Sequence, residues 1–126
     1  EHSAHYYFLK NFRADSGLIA SMLMLSEVSV AGVDLSVLRK PFERYSSSGE
    51  INTAVADTQM VIDRIAAEFS AFTQDRLDGL TVDCGPWWFN LRPSNTEPLL
   101  RLNLEAPDRD ACDLHVAELL ALITSI

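Results

Sequence analysis

Basic residues are scarce in this chain: 10 Lys and Arg stand against 18 Asp and Glu, a net charge of −8. Binders of nucleic acid or anionic membrane surfaces draw on basic excess for attraction, so neither partner is expected. No apolar run is long enough to span a bilayer and no signal peptide is visible. A cytoplasmic location is the resulting expectation. Only two cysteines occur, Cys84 and Cys112. They have neither metal-like spacing nor the numbers of a disulfide framework, so both are expected to be small, buried, apolar residues. Internal repeats and low-complexity tracts are missing as well. What remains is a 126-residue chain that is 48% hydrophobic, enough for one ordinary domain and some extra.

The apolar pattern divides that length. Asp15 is a plausible N-cap before the run Leu18-Ile19-Ala20-Ser21-Met22-Leu23-Met24-Leu25. A helix that is apolar on nearly every side is normally buried all round, and this one wants a sheet that the chain does not supply. Gly32 ends it, Asp34 caps a further short helix through Arg39, and Pro41 breaks the pattern. Residues 1–38 are therefore expected to be the tail of a preceding domain, and residues 39–126 a self-contained one. The absence of an initiator Met before Glu1 fits an excised piece of something longer.

The second part reads as strand, helix, three strands, helix. A strand with a bulge or turn lies within Glu43 to Ala56, and a helix from Asp57 to Thr73 puts Val61, Ile65, Phe69 and Phe72 on one face. Strands follow at Leu80 to Cys84, Trp87 to Leu91 and Leu99 to Glu105. A last helix after Pro107 and Asp108 lines up Cys112, Val116, Leu119, Leu120 and Ile123. The expected fold class is α+β: a mostly antiparallel sheet of about four strands with two helices on one face.

Between two of those strands stands Arg92-Pro93-Ser94-Asn95-Thr96-Glu97-Pro98. Four successive backbone N–H groups, Ser94 to Glu97, can curl into a nest for an anion. The Ser94 and Thr96 hydroxyls and the Asn95 amide add donors, and Arg92 offers a planar fork to two phosphate oxygens. The prolines stiffen both ends without wasting a donor. With a net charge of −8, such an anion would be held by local donors against the overall field. A polar hairpin turn is the plainer alternative. Arg101, on the outer face of the next strand with Glu105, either supports the nest or pairs with a surface acid. At the other end of the chain Glu1, Ser3 and His5 are spaced to share one face of an extended segment. That set suits a polyol: the carboxylate accepts from adjacent hydroxyls, the serine donates and accepts, and the imidazole can move a proton near neutral pH.

The segment from Phe89 to Asn103 resembles the phosphate-binding loop of the α-D-phosphohexomutases, nearest the bacterial phosphomannomutase and phosphoglucomutase branch. Glu1-His2-Ser3-Ala4-His5, with Tyr7-Phe8 and Asp15-Ser16-Gly17, is similar to the sugar-binding loop of that family's third domain. Gly49-Glu50-Ile51-Asn52 resembles the opening of its fourth. The resemblance implies a C-terminal domain of the TATA-binding-protein-like fold, preceded by a remnant of an α/β domain. It implies interconversion of hexose 6-phosphate and hexose 1-phosphate through a phosphoserine, with hexose 1,6-bisphosphate as intermediate and activator and Mg2+ as cofactor. Glu1 and Ser3 would hold sugar hydroxyls. Arg92, Ser94, Asn95 and Thr96 would grip the phosphate that is not reacting, with Glu97 and Arg101 in support, and His5 would be a proton carrier or a second polar contact. Mannose ranks ahead of glucose, and Asn95 and Ala4 speak against glucosamine.

Two of the family's motifs are missing. No Thr-Ala-Ser-His-type serine loop is present, and Asp108-Arg109-Asp110 is too poor in carboxylates and wrongly placed to be the magnesium loop. Catalytic serine and metal would thus belong to N-terminal domains of the same protein, and the chain alone is expected to be inactive. The competing reading is a non-catalytic interaction module, in which the apolar helix of residues 17–28 is a docking surface and drives self-association.

Overall fold

The computed structural model describes residues 4–125, so Glu1 and Ser3 of the expected sugar-binding set lie outside the described residues. The chain divides into two compact units, one ending at Glu43 and one beginning at Arg44.

In the first unit, β1 (Tyr7–Phe8) and β2 (Ala14–Asp15) form an antiparallel ladder, and α1 (Gly17–Ala31) follows. The cap of α1 is Ser16 rather than the expected Asp15: the Ser16 hydroxyl accepts from the Ile19 N–H at 3.2 Å. Asp15 is engaged elsewhere, accepting from the Tyr6 N–H at 2.8 Å and pairing with His5. Gly32 closes the helix with φ of 63°, a left-handed backbone that costs glycine nothing, and donates its N–H to Val28. A four-residue helix, α2 (Leu35–Leu38), and a 3₁₀ turn at Lys40–Phe42 complete the unit. None of the α1 residues is buried; Leu18 is 76% and Leu25 60% exposed. The described residues of this unit hold only the two-stranded ladder, which leaves α1 without a sheet to pack on. No single helix among the described residues is long and apolar enough to cross a membrane.

The second unit is a six-stranded antiparallel sheet, not one of about four strands. Its strands are β3 (Ser46–Ser47), β4 (Ile51–Ala54), β5 (Thr73–Asp75), β6 (Leu80–Asp83), β7 (Trp88–Pro93) and β8 (Leu99–Ala106), with α3 (Thr58–Glu68) and α4 (Arg109–Thr124). The order is β3-β8-β7-β6-β5, and β4 also pairs with β8, further along the same strand. Two local causes explain the extra strands. The expected strand before α3 is broken at Gly49, whose φ is +65°, and Ser48 patches the gap by exchanging hydrogen bonds with the Leu104 backbone. The helix expected to reach Thr73 stops at Glu68, because the Gln74 amide donates to the Ala66 and Phe69 carbonyls at 2.8 and 2.9 Å. That hook turns the chain into β5, and Phe72 sits exposed outside the core.

The core lies between one face of the sheet and the two helices. Leu100, Leu102 and Leu104 of β8, Phe89 and Leu91 of β7, and Leu80 and Val82 of β6 are all at most 1% exposed. They meet Val61, Ile62 and Ile65 of α3 and Cys112, Leu119 and Ile123 of α4. Fully burying such a leucine stabilises the fold by about 1.5–3 kcal/mol. Side chains alternate along a strand, so Trp88, Asn90 and Arg92 of β7 and Arg101, Asn103 and Glu105 of β8 share the opposite face. Trp87 takes the helix side, stacked on His115 at 4.0 Å and beside Phe89 at 5.7 Å. Trp88 remains partly exposed, donating from its indole to Glu105 at 3.3 Å.

Cys112 matches the expected small, buried, apolar residue, whereas Cys84 is only partly buried. Cys112 is fully buried. Burial, reinforced by the charge of Asp83, pushes the Cys84 thiol up to about 11, and burial also raises that of Cys112. The thiolate is the reactive form. At pH 8 the folded chain is therefore expected to react with an aromatic disulfide reagent roughly a hundred-fold more slowly than the unfolded chain, whose thiols titrate near 8.5. A fast phase from either thiol in folded protein would contradict the packing.

Candidate functional site: an arginine-lined hairpin loop

The loop between β7 and β8 is closed from within. Its ends are tied by the Ser94 N–H donating to the Leu99 carbonyl at 2.8 Å, and the Leu99 N–H turns back to the Glu97 carbonyl at 2.8 Å. This corrects the four-donor expectation. The Ser94 amide is consumed in closing the hairpin, so the nest holds at most the N–H groups of Asn95, Thr96 and Glu97. The Thr96 amide makes a long contact of 3.4 Å to the Ser94 hydroxyl, and those of Asn95 and Glu97 have no protein acceptor among the described residues. Asn95, Thr96 and Glu97 are exposed. Amides already bent into one turn and still without an acceptor suit an incoming anion.

The arginines come from the strands. Register places Arg92 directly opposite Arg101. Like charges facing each other across a ladder repel, and the repulsion is relieved by Glu50, just before β4. Its carboxylate lies 3.5 Å from Arg92 and 3.5 Å from Arg101, one oxygen to each. Asp78 stands 3.8 Å from Arg92 on the other side. These separations exceed the 2.7–2.9 Å of a charge-assisted hydrogen bond. The guanidiniums are steered by the carboxylates, with donors to spare for a phosphate. Arg101 also reaches the Ser94 hydroxyl at 3.4 Å, while its Nε is buried without a partner. Arg101 thus touches both partners its position suggested, the loop at Ser94 and an acid at Glu50.

A cleft of about 390 Å3 opens beside Arg92, lined also by Asn95, Pro93, Gly79, Asp78, Arg76 and Gln59. Its wall depends on the β5–β6 hairpin. Gly79 has φ of +74°, and a Cβ there would press into the Leu91 carbonyl oxygen and lie 2.8 Å from the Arg92 Cα. Asn90 clamps the same hairpin, donating to the Asp78 carbonyl at 2.8 Å and the Thr81 hydroxyl at 3.0 Å.

Contacts link Arg92 and Arg101 through Glu50 and run from Arg101 to Ser94 and Thr96; Asn95 lines the cleft beside Arg92, and Glu97 shares the loop through its backbone carbonyl. His5 belongs to the first unit, where its Nδ1 is 2.6 Å from the Asp15 carboxylate. That bond, with the Tyr6 N–H second, holds the Asp15 carboxyl below its ordinary value of 3.8. The stabilisation from this pairing is present above that value and is lost as pH falls through the lowered one. Ala4 precedes His5 with φ of 56°, the left-handed region that favours glycine. Sequence reasoning missed Glu50 as a partner of both arginines and Gly79 as the spacer beneath Arg92. The only signal for Glu50 was its place in Gly49-Glu50-Ile51-Asn52.

No three His, Cys, Asp or Glu side chains converge among the described residues. The Mg2+ that the resemblance implies finds no ligand set here, and no step is derived through it. Asp108 instead caps α4, accepting from the Ala111 N–H at 2.9 Å, and Arg109 pairs with Asp113.

The described residues define an α+β domain that carries two opposed arginines and a polar loop on one hairpin. Residues 50–122 match the family model described as phosphoglucomutase/phosphomannomutase, C-terminal domain, and residues 1–45 match the alpha/beta/alpha domain III of the same proteins. The chain belongs to the phosphoglucomutase/phosphomannomutase family. It is similar to a phosphomannomutase of Methanocaldococcus jannaschii, 41% identical over all of this chain and 28% of the relative. It is 43% identical to phosphohexose mutases of Xanthomonas campestris over 83% of this chain and 24% of theirs. A Salmonella typhimurium phosphomannomutase is 39% identical over 98% of the chain and 28% of its own length. The chain spans about a quarter of the length of these relatives.

Proposed function

We propose that this chain is the substrate-gripping C-terminal part of a hexose phosphate mutase, acting on mannose phosphates ahead of glucose phosphates. The single observation that supports this best is the β7–β8 loop. Two opposed guanidiniums, the Ser94 and Thr96 hydroxyls and loop amides with no protein acceptor among the described residues stand on one hairpin, a donor set that suits a phosphate dianion. In this reading Arg92 and Arg101 fork the phosphate that is not reacting. The Ser94 and Thr96 hydroxyls donate to it, and the Asn95 and Glu97 amides cradle it.

Phosphoryl transfer asks a protein mainly for positioning and charge stabilisation. Binding energy taken from a remote phosphate can be used to orient the reacting end of the sugar. Glu1, Ser3 and His5 remain candidates for the sugar hydroxyls and proton handling. Residues 1–38 belong in this scheme to the sugar-binding domain and 39–126 to the phosphate-binding one. The serine nucleophile, the Mg2+ site and a cytoplasmic setting belong to the whole protein. The exposed apolar face of α1 suits packing onto the sheet of an α/β/α layer.

Calorimetry on the 126-residue chain tests the reading. Mannose 6-phosphate and mannose 1-phosphate should both bind, unphosphorylated mannose should give no heat at the same concentration, and no interconversion of the two phosphates should occur. Equal responses to phosphorylated and free sugar would remove the phosphate loop from the account. Turnover by the chain would remove the division of labour.

A further inference from the structure

We propose that Glu50 is the resident counter-ion of the phosphate site, a positioning residue that pre-aligns Arg92 and Arg101 and weakens their grip so that phosphate exchanges readily. The inference rests on the phosphate-binding reading above. Three observations support it. The two arginines face each other across β7 and β8, an arrangement that repels unless an anion lies between them. Glu50 supplies that anion from just before β4, one carboxylate oxygen toward each guanidinium, both at 3.5 Å. The side chains are partly covered: that of Glu50 is 29%, of Arg101 28% and of Arg92 35% exposed. Charges there are screened less than on an open surface.

The consequence is a competition. A phosphate arriving at the loop meets guanidiniums already aligned, which lowers the cost of ordering them. It also meets a carboxylate of its own sign beside them, which lowers the gain. The repulsion of a dianion by a fixed like charge outweighs the loss of two ion pairs whose 3.5 Å separations exceed a charge-assisted hydrogen bond. Net, Glu50 trades affinity for release. A site that must let one phosphorylated sugar go and take another gains by such a trade.

The test follows inorganic phosphate binding to the 126-residue chain through the backbone amide signals of Asn95 and Thr96. Glu50→Gln keeps the shape and removes the charge. It should lower the Kd roughly three- to ten-fold at low ionic strength, with the gap closing as salt rises. A Kd within two-fold of the parent, or a weaker one, overturns the counter-ion role while leaving the phosphate loop in place. No binding by the parent chain removes both. The unmutated chain gives an independent reading should the variant fail to fold: the Glu50 carboxyl-carbon signal should shift as phosphate is added and its arginine contacts loosen. A stationary signal while the loop amides move also overturns the proposal.

Discussion

Replacing Gly79 with alanine is expected to be the most damaging single-methyl change in the second unit. The backbone there is left-handed, with φ of +74°, and a side chain in that conformation costs about 1–2 kcal/mol. The added Cβ would also collide with the Leu91 carbonyl and the Arg92 backbone, and forcing atoms into packed space costs typically 1–3 kcal/mol more. The sum, about 2–5 kcal/mol, is a large share of the 5–15 kcal/mol that holds an ordinary domain together. Thermal unfolding followed by circular dichroism should show a Tm at least about 10 °C lower. The damage should reach the site, because the strand that must yield carries Arg92, so surviving folded protein should bind phosphate less tightly. A Gly79→Ala variant with the parent's Tm would mean that the β5–β6 hairpin does not rest on β7 as described. The same change at Gly85, where φ is also positive but no atom lies within 4 Å of the added carbon, should cost only the backbone component.

The second large effect concerns Arg92. Truncation to alanine should weaken binding of a hexose 6-phosphate about 10- to 100-fold, since charge-assisted hydrogen bonds are worth about 1.5–3 kcal/mol. It should barely touch stability: the pairs it loses, to Glu50 and Asp78, are long and partly exposed. Lysine in its place should recover only part of the affinity, because a point charge cannot reproduce the planar fork. Parallel titration of the parent, Arg92→Ala and Arg92→Lys by calorimetry gives the ranking. Equal affinities for the three would place the phosphate elsewhere.

How far the sequence could be read follows from the range of each interaction. The β7 and β8 strands were legible because their alternation is local: Leu100, Leu102 and Leu104 point one way, Arg101, Asn103 and Glu105 the other. The loop was legible because Ser94, Asn95 and Thr96 stand together between prolines. The helix starts at Asp57 and Asp108 follow capping chemistry within a turn. Asp15 failed as a cap because His5 and the Tyr6 amide, distant in the chain, compete for its carboxylate. The strand β5 was hidden because Thr73-Gln74-Asp75 has no apolar alternation; its place is set by Gln74 hooking the end of α3 and by pairing with β6. The double role of Glu50 was hidden for the same reason: it depends on register across the sheet, which no short window of sequence contains. The consumption of the Ser94 amide follows from how the hairpin closes onto Leu99.

The direct test of the phosphate-gripping loop is a site-resolved titration of the 126-residue chain with mannose 6-phosphate, observed in backbone amide spectra. The account expects saturable shifts at Asn95, Thr96 and Glu97, with smaller ones at Arg92 and Arg101, a quiet Ser94 amide held by Leu99, and no change with plain mannose. Loop amides that stay still at millimolar ligand, while a protein partner moves Leu18 to Leu25, would contradict it and favour an interaction module built on the apolar helix.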